Sequence, residues 1–176
     1  MTNDILLAGF GGQGILFIGK MLAYLGLYGN KQVSWLPSYG PEMRGGTCNC
    51  SVCVSDDPIG SPLVLEPNTL LVMNTPSYDR FIGSVKEGGS CFIDSTLIEE
   101  KCDRTDISCY YVPATQLANE NGLHGMANVI LLGKMIKETG MGDEAVIEKT
   151  VKKVVPPKKA HLIEANLRAL KLGMEQ

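Results

Sequence analysis

The sequence lacks an excess of positive charge and a long apolar run, and each deficit excludes a class of protein. Its 176 residues carry 16 Lys and Arg against 19 Asp and Glu, a net charge of -3. Proteins that follow nucleic-acid phosphates usually carry a basic excess, so nucleic acid is not expected as the main partner. Charge or glycine interrupts every apolar stretch before it could span a membrane. The opening MTNDILLAG also lacks the features of a signal peptide, so we expect a cytoplasmic protein.

Familiar catalytic motifs are also missing. The sequence contains no H-E-x-x-H, no P-loop lysine motif and no nucleophile elbow. Ser77, Asp94 and the two histidines do not form an evident nucleophile–base pair at any recognisable spacing. The chain is therefore expected to act as a subunit rather than as a free-standing enzyme.

Three of the six cysteines cluster in the segment TCNCSVCVS, as Cys48, Cys50 and Cys53. A metal or iron–sulfur site is one interpretation, but the spacing differs from C-x2-C-x2-C-x3-C and no fourth ligand stands nearby. The favoured interpretation is a strand in which Cys48 and Cys50 share one face and Cys53 lies on the other. Cysteine packs well there as a small hydrophobic residue. We therefore expect no metal on this chain.

The order of apolar segments predicts an α/β fold: a single domain over residues 1–176, with three α/β/α layers around a mainly parallel, Rossmann-like sheet. Strands are predicted near residues 4–8, 33–36, 47–55, 69–74, 91–94 and 107–112. Helices are predicted over 13–28, from Thr75, over 126–136, over 144–155 with Asp143 as N-cap, and over 160–174. The helix over 126–136 is apolar almost all round, so it is expected to be buried, with Gly133 allowing close packing.

The stretch ILLAGFGGQGILFIG places Gly9, Gly11 and Gly14 in the G-x-G-x-x-G dinucleotide fingerprint, between a predicted strand and a predicted helix. Glycine permits a tight turn and a close approach of a ligand to the backbone. The helix that follows offers free N–H groups and the positive end of its dipole, which together favour an anion.

Two features of this loop differ from a dinucleotide site. The segment KQVSWLPS, where an acidic residue would hold the ribose hydroxyls, contains no acid, and Gly12 is an extra glycine. Three interpretations stay open at this point. They are an NAD or FAD site, a tight turn that only packs helix on sheet, and an anion site of another kind, which we favour.

The second unusual stretch is PSYGPEMRGG, in which Tyr39, Glu42 and Arg44 are surrounded by glycines. Such a loop can present the Arg44 guanidinium to a phosphate or a carboxylate. Alternatively, Glu42 and Arg44 tether the loop internally and only shape it.

The segments GFGGQGILFIGKMLA and WLPSYGPEMRGGTCNCSV together closely resemble the gamma subunit of 2-oxoacid:ferredoxin oxidoreductases. The similarity continues through VPATQLANENG to HLIEANLRALKLG and covers the whole chain. The form PSYGPEMRGGT is most similar to the 2-oxoglutarate and 2-oxoisovalerate (ketoisovalerate) members; the family also includes pyruvate enzymes.

This resemblance implies a multi-subunit enzyme that converts a 2-oxoacid into an acyl-coenzyme A and reduces ferredoxin. It places thiamine diphosphate, Mg and iron–sulfur clusters on alpha, beta and delta partner subunits, while coenzyme A is shared with this chain. Gly9, Gly11, Gly12, Gln13 and Gly14 are then expected to approach the coenzyme. Tyr39, Glu42 and Arg44 are expected at the subunit interface or at an anion. The alternatives are a stand-alone nucleotide-binding protein or a scaffold subunit without ligand contact, and homodimer formation stays open.

Overall fold

The computed structural model describes residues 2–40 and 46–176. Within these ranges the strands are β1 (Thr2–Phe10), β2 (Gln32–Tyr39), β3 (Thr47–Ser55), β4 (Thr69–Val72), β5 (Ser90–Asp94) and β6 (Ser108–Val112). The helices are α1 (Ile15–Tyr28), α2 (Thr75–Phe81), α3 (Ala114–Glu120), α4 (Ala127–Thr139), α5 (Glu144–Val154) and α6 (Ile163–Met174). Short 3-10 turns at Ile82–Ser84 and Pro157–Leu162 follow α2 and precede α6. No helix among the described residues has the length and apolar character to cross a membrane.

The described strands form one mixed sheet in the order β2-β3-β1-β4-β5-β6. Strands β1, β4, β5 and β6 pair in parallel, as the sequence predicts for α/β units. Strand β3 is antiparallel to both of its neighbours, β1 and β2. The α/β sheet is thus confirmed, and the difference from the expected parallel pattern is confined to one end.

The length of the β2–β3 connection explains this difference. Only residues 40–46 separate the two strands, whereas a parallel crossover needs about a dozen residues or more. The N–H of Gly40 donates to the Thr47 carbonyl at 3.2 Å, as in a hairpin. Consequently β3, and not β2, lies beside β1.

The two faces of the sheet are covered unequally. Helices α1, α4, α5 and α6 pack on one face around a core that includes Leu7, Phe92 and Ile130. The other face carries α2, its 3-10 turn and the segment around Val64, over a smaller core that includes Ile93. The predicted three layers are therefore present, with a thick helical layer on one side only.

Strand β3 contributes side chains to both cores. Cys48 and Cys50 belong to the core on the helical face, and Cys53 belongs to the opposite one. This alternation confirms the strand interpretation of TCNCSVCVS. Burial raises the pKa of the Cys48 and Cys53 thiols and raises the pKa of the Cys50 thiol to about 12, so all three are neutral inside the protein.

The predicted helices are confirmed with small shifts at their ends. The Asp143 carboxylate accepts from the N–H of Val146 at 2.8 Å and caps α5 as expected. The Asn74 side chain caps α2 in the same way, by accepting from Ser77 at 2.8 Å. Helix α3 is the one described helix that the periodicity of the sequence does not predict, because its seven residues are too few to show a clear apolar face.

Candidate functional site at the glycine loop

The glycine loop, residues 9–14, lies at the carboxyl end of β1. This strand has the antiparallel β3 on one side and the parallel β4 on the other. In open α/β sheets, ligands bind outside the carboxyl ends of the strands where the topology changes direction. The loop therefore stands at the position of the sheet that most often becomes a binding site.

The Gln13 side chain holds the loop to the sheet. Its Oε1 accepts from the N–H of Phe10 at 2.7 Å, and its Nε2 donates to the carbonyl of Met73 at 2.8 Å. A Cβ on Gly9 would lie 2.6 Å from the same Oε1, so glycine is needed there for the amide to fit. Gln13 and Gly9 consequently shape the loop from within, and the Gln13 amide is occupied by this task.

Gly14 joins the loop to α1 and to a distant helix. It adopts a left-handed conformation with φ 75° as the N-cap of α1. The Asn128 Nδ2 donates to its carbonyl at 3.1 Å, and a Cβ on Gly14 would lie 2.3 Å from that nitrogen. Only glycine satisfies both the positive φ and the contact with Asn128.

Gly12 differs from its neighbours because it faces open space. Its φ is +102°, and no atom of the described residues lies within 4 Å of the position that a Cβ would occupy. The N–H of Gly11 donates to the carbonyl of Gly46 at 2.9 Å, and that of Gln13 donates to Phe10 at 3.1 Å. The N–H groups of Gly12 and Gly14 have no partner among the described residues. The loop therefore contains two backbone donors that the described residues leave unsatisfied.

The start of α1 adds to this donor surface. Its first intrahelical donor is Ile18, whose N–H reaches Gly14 at 3.2 Å, so the peptide N–H groups of residues 15–17 precede the helical ladder. No side chain caps this end and no acidic residue lies in its first turn. The positive end of the helix dipole is thus left uncompensated by the described residues, a setting that favours an anion.

Two depressions flank the loop. One has a volume of about 370 Å³, and it is lined by Phe10, Gly11, Gly12, Gly14, Ile15, Leu16, Phe17, Tyr39, Thr47 and Cys48. The other has a volume of about 210 Å³, and it is lined by Gly12, Gln13, Met73, Thr115, Ala118, Asn119, Gly125, Ala127 and Asn128. The first is mainly apolar and the second is rich in amide groups. Gly12 lies between them, and neither lining includes a charged side chain from the described part of the chain.

The second predicted loop is only partly described. Tyr39 ends β2 with 57% of its surface exposed and lines the apolar depression beside the glycine loop. Phe10, which is 36% exposed, lines the same depression. The structure thus brings Tyr39 next to the glycine loop, as an aromatic surface beside its open donors. Glu42 and Arg44 lie outside the described residues.

The sheet order bears directly on the dinucleotide interpretation. In that fold the ribose-binding acid follows a strand adjacent to β1, but here β3 separates β2 from β1. Neighbouring strands are about 5 Å apart, so the end of β2 lies about 10 Å from β1. The residues at that end, Leu36 to Gly40, include no acid. The geometry therefore does not favour NAD or FAD.

Sequence reasoning did not identify the residues that support the loop from other elements. Asn128 is 114 residues away from Gly14, at the start of a helix that reads as uniformly apolar. The buried Asp94 at the end of β5 accepts from the Thr115 hydroxyl at 2.6 Å and so fixes the start of α3 beside the amide-rich depression. Only Asn128 and Lys134 are polar within residues 126–136, and this is the one signal that pointed to Asn128. Among the described residues, no group of three His, Cys, Asp or Glu side chains is placed to hold a metal ion.

Known proteins match both the sequence and this fold. The family model described as pyruvate ferredoxin/flavodoxin oxidoreductase matches residues 4–176. The chain is 36% identical over 178 residues to the 2-oxoglutarate synthase subunit KorC of Methanocaldococcus jannaschii, and the match covers 99% of this chain and 94% of KorC. It is 38% identical over 173 residues to the ketoisovalerate oxidoreductase subunit VorA of Methanothermobacter thermautotrophicus, which covers 97% of this chain and 35% of VorA.

A solved structure gives the same result. The gamma subunit of a keto/oxoacid ferredoxin oxidoreductase from Geobacter sulfurreducens is 30% identical and superimposes with a TM-score of 0.82. The match covers 98% of this chain and 96% of that subunit. The resemblance identified from the glycine loop and PSYGPEMRGGT is confirmed. The chain therefore belongs to the pyruvate ferredoxin/flavodoxin oxidoreductase family, as a gamma-type subunit of a 2-oxoacid:ferredoxin oxidoreductase.

Proposed function

We propose that the glycine loop of this chain forms one wall of a coenzyme A site shared with partner subunits. In this proposal the chain works in the cytoplasm, bound to alpha and beta subunits and, where present, a delta subunit. Those partners hold the thiamine diphosphate, Mg and iron–sulfur clusters that supply the decarboxylation and electron-transfer chemistry, with ferredoxin as acceptor. This chain binds and orients the coenzyme, closes the site from outside, and is inactive alone.

The observation that carries the proposal is the glycine loop around Gly12, where the N–H groups of Gly12 and Gly14 have no partner among the described residues and the uncapped start of α1 follows. Backbone N–H groups at a helix N-terminus are a recurrent way of binding phosphate oxygens. Coenzyme A carries a diphosphate and a 3'-phosphate but lacks a second nucleoside. It can therefore use such a loop without the ribose-binding acid that β2 does not supply.

The dimensions of the site support a shared binding surface. Depressions of about 370 and 210 Å³ are at or below the lower end for small-molecule pockets, and a ligand as large as coenzyme A needs more. A second surface must complete the enclosure. In VorA the matching region is about a third of a longer chain, so in that protein this domain is covalently joined to other parts.

Charge complementarity also calls for a contribution from outside the loop. The two depressions contain no cationic side chain from the described residues, yet phosphate groups are usually paired with Arg or Lys. Arg44, together with Glu42 and Tyr39, is assigned in this proposal to the subunit interface or to an anion there. A partner subunit supplies any remaining positive charge.

Substitution of Gly12 in the reconstituted complex tests the proposal. Gly12→Ala adds a methyl group to the open side of the loop, where no described residue would clash with it. We expect the KM for coenzyme A to rise about tenfold, because one displaced phosphate contact is worth about 1.4 kcal/mol. The KM for the 2-oxoacid is expected to stay within about twofold, since substrate contacts are assigned to other subunits.

Gly88→Ala is the matched control. Gly88 also has a positive φ, of 76°, with open space around its missing Cβ, but it precedes β5 at the opposite end of the sheet. Both variants carry a similar backbone strain. A difference between them in the KM for coenzyme A therefore reports on the position of Gly12 in the loop. If Gly12→Ala leaves both the coenzyme A KM and subunit assembly unchanged, the loop has no ligand role and the scaffold alternative is correct.

Arg44→Ala tests the second loop in the same complex. We expect lost turnover or weaker association with the alpha and beta subunits, measured by activity and by co-purification. A fully active complex of unchanged stoichiometry would remove Arg44 from the site. Thermal melting of the isolated chain with NADH and FAD provides a separate check, because clear stabilisation by either would favour the stand-alone nucleotide-binding alternative.

A further inference from the structure

Three cysteines that are dispersed in the sequence meet on one face of the sheet. Cys91 in β5 and Cys109 in β6 are direct partners in the parallel register of these strands. Cys102 lies in the segment 95–107 that connects the two strands. Cys91 is fully buried, whereas Cys102 and Cys109 are half-buried. All six cysteines are free thiols.

Aromatic and charged groups surround these thiols. The Tyr111 hydroxyl, two residues beyond Cys109 on the same strand, accepts from the N–H of Cys102 at 2.8 Å. Tyr78 of α2 belongs to the same buried core as Cys91, and Cys109 packs against that core. The Arg104 guanidinium is fixed nearby, donating to the carbonyl of Val85 at 2.8 Å and pairing with Asp106. The Tyr111 hydroxyl thus holds the main chain at Cys102 to β6, and the Lys101 Nζ lies 3.9 Å from the centre of the same Tyr111 ring.

The cluster gives Cys109 an environment different from that of its neighbours. Interaction with the Cys91 thiol, followed by those with Cys102 and Tyr111, lowers the pKa of Cys109 to about 6. Burial raises the pKa of Cys102, and the interaction with Cys109 raises that of Cys91. The positive charge of Arg104 also lowers the pKa of Cys109. Negative charge in the cluster is therefore favoured on Cys109 over Cys91 and Cys102.

We propose that Cys109 and Cys102 form a peroxide-reactive thiol pair, a modification site separate from the glycine loop. The Cys109 thiolate attacks one oxygen of hydrogen peroxide, the O–O bond breaks, and, with one proton taken up, water leaves and a sulfenic acid remains. The Cys102 sulfur then attacks the Cys109 sulfur. A disulfide forms, the S–O bond breaks, and the Cys102 proton leaves with the hydroxyl as a second water. Two thiols are oxidised and one peroxide is reduced to two waters.

Cys102 resolves the sulfenic acid because its backbone can move toward Cys109. Cys91 lies in β5, whose ladder is paired on both sides, to β4 and to β6, so its position relative to Cys109 is fixed. A disulfide needs particular Cβ directions and a dihedral angle near 90°, which a rigid register pair cannot adjust to reach. Cys102 lies outside any strand, so its main chain can adjust. Cys91 instead acts as a positioning residue, since the strand register places it directly beside Cys109.

The chain contains its own control in Cys48, Cys50 and Cys53. These thiols are closer together in sequence, but they are buried in a strand and have raised pKa values. Thiolate character and access both govern reaction with peroxide. We therefore expect them to stay reduced under conditions that oxidise Cys109.

The test uses the full chain, purified without oxygen and treated with one equivalent of hydrogen peroxide at pH 7. Trypsin cuts after Lys101, Arg104 and Lys134, so it places Cys102 and Cys109 on separate peptides, residues 102–104 and 105–134. Mass spectrometry without reductant is expected to find these two peptides joined, and reductant is expected to separate them. Wild-type protein suffices for this measurement, so no variant has to fold.

Variants then separate the roles of the two sulfurs. In Cys102→Ser the Cys109 sulfenic acid should persist and be trapped by dimedone. Its rate of formation should rise with pH through about 6 and level off above, because the thiolate is the nucleophile. Cys109→Ser should slow peroxide consumption at least about tenfold at pH 7. Cys109→Ala serves as the second form of this variant if the serine destabilises the strand.

Three results would overturn the proposal. One is oxidation of Cys48, Cys50 and Cys53 at rates similar to that of Cys109. Another is a wild-type protein that accumulates sulfenic or sulfinic acid at Cys109 without a cross-link. The last is a cross-link of the 105–134 peptide to residues 87–101, which would make Cys91 the partner.

Discussion

The glycine loop and the crossing of α4 with α6 both depend on glycine, for opposite physical reasons. At the crossing, a Cβ on Gly133 would lie 2.1 Å from the carbonyl oxygen of Leu170, and a Cβ on Gly173 would lie 1.8 Å from that of Ile130. At Gly12 in the loop, no atom of residues 2–40 or 46–176 lies within 4 Å of the missing Cβ. Glycine at the crossing lets two backbones touch, while glycine at Gly12 leaves space for something outside the chain.

The comparison shows how to distinguish structural glycines from those that allow access. Close contact of α4 and α6 is part of the thick helical layer that supports the carboxyl edge of the sheet, and α4 also carries Asn128 to the loop. Substitution of Gly133 or Gly173 should therefore reduce the stability of the fold, whereas substitution of Gly12 should change the binding of coenzyme A. Gly9 and Gly14 are intermediate cases, because each belongs to the loop but a Cβ on either would meet a side chain.

The largest expected effect is at the crossing. Gly173→Ala forces a methyl group into the main chain of α4, which cannot move aside as a flexible side chain could. The gain in helix propensity offsets only about 1 kcal/mol, so we expect a net loss of about 3 to 4 kcal/mol in the free energy of unfolding. Urea denaturation measures this loss.

Gly83→Ala is the control for this change. Gly83 has open space at its missing Cβ and an ordinary φ, so its substitution should stay within about 0.5 kcal/mol of the original stability. Equal stability of the two variants would show that α4 and α6 are not in backbone contact.

Gly14→Ala should have the next largest effect. The new Cβ meets the Asn128 amide at 2.3 Å, and the left-handed backbone adds strain, so we expect a loss of about 2 to 3 kcal/mol. In an Asn128→Ala background the steric part disappears and only the strain remains. A double-mutant cycle measured by urea denaturation should thus show coupling of about 1 kcal/mol or more, and strict additivity would contradict the contact.

Gln13→Ala should cost about 2 kcal/mol. The variant leaves the N–H of Phe10 and the carbonyl of Met73 without their partner, and each lost bond is worth about 1 kcal/mol. Gln116→Ala is the matched control, since that amide bonds only to the exposed Glu120 one turn away. Thermal unfolding should separate the two variants clearly. Equal melting temperatures would mean that the Gln13 amide does not hold the loop.

The smallest expected effect on stability is that of Gly12→Ala. Only backbone strain opposes the methyl group, so we expect a loss of about 1 kcal/mol, the same as for Gly88→Ala. Urea denaturation of both variants checks this equality. A distinctly larger loss for Gly12→Ala would make Gly12 a structural glycine and would end the contrast with the α4–α6 crossing.

The cysteines show why spacing in the sequence can mislead. The sequence spacing of Cys48, Cys50 and Cys53 suggests a cluster. Side-chain alternation along β3 instead divides them between the two faces of the sheet. No sequence motif links Cys91, Cys102 and Cys109, yet strand pairing brings Cys91 beside Cys109. A strand places near neighbours on opposite faces, while a sheet places distant residues side by side.

Much of the fold could be predicted because its signals are local. Apolar runs predicted the strands, helical spacing predicted α1 and α4 to α6, and Asp143 predicted the start of α5. The antiparallel insertion of β3 was missed because pairing depends on connection length as well as on residue pattern. The glycine loop was found from its motif, but the role of Asn128 could not be, since that contact joins residues 14 and 128.

The sequence by itself determined the α/β class, the position of the glycine loop between a strand and a helix, and the family to which the chain belongs. These depend on short-range periodicity and on motifs that are contiguous in the chain. Only the tertiary structure decided which strand lies beside β1, which glycine faces open space, and which cysteines meet. Those properties depend on contacts between residues far apart in sequence, where packing and strand register choose the neighbours.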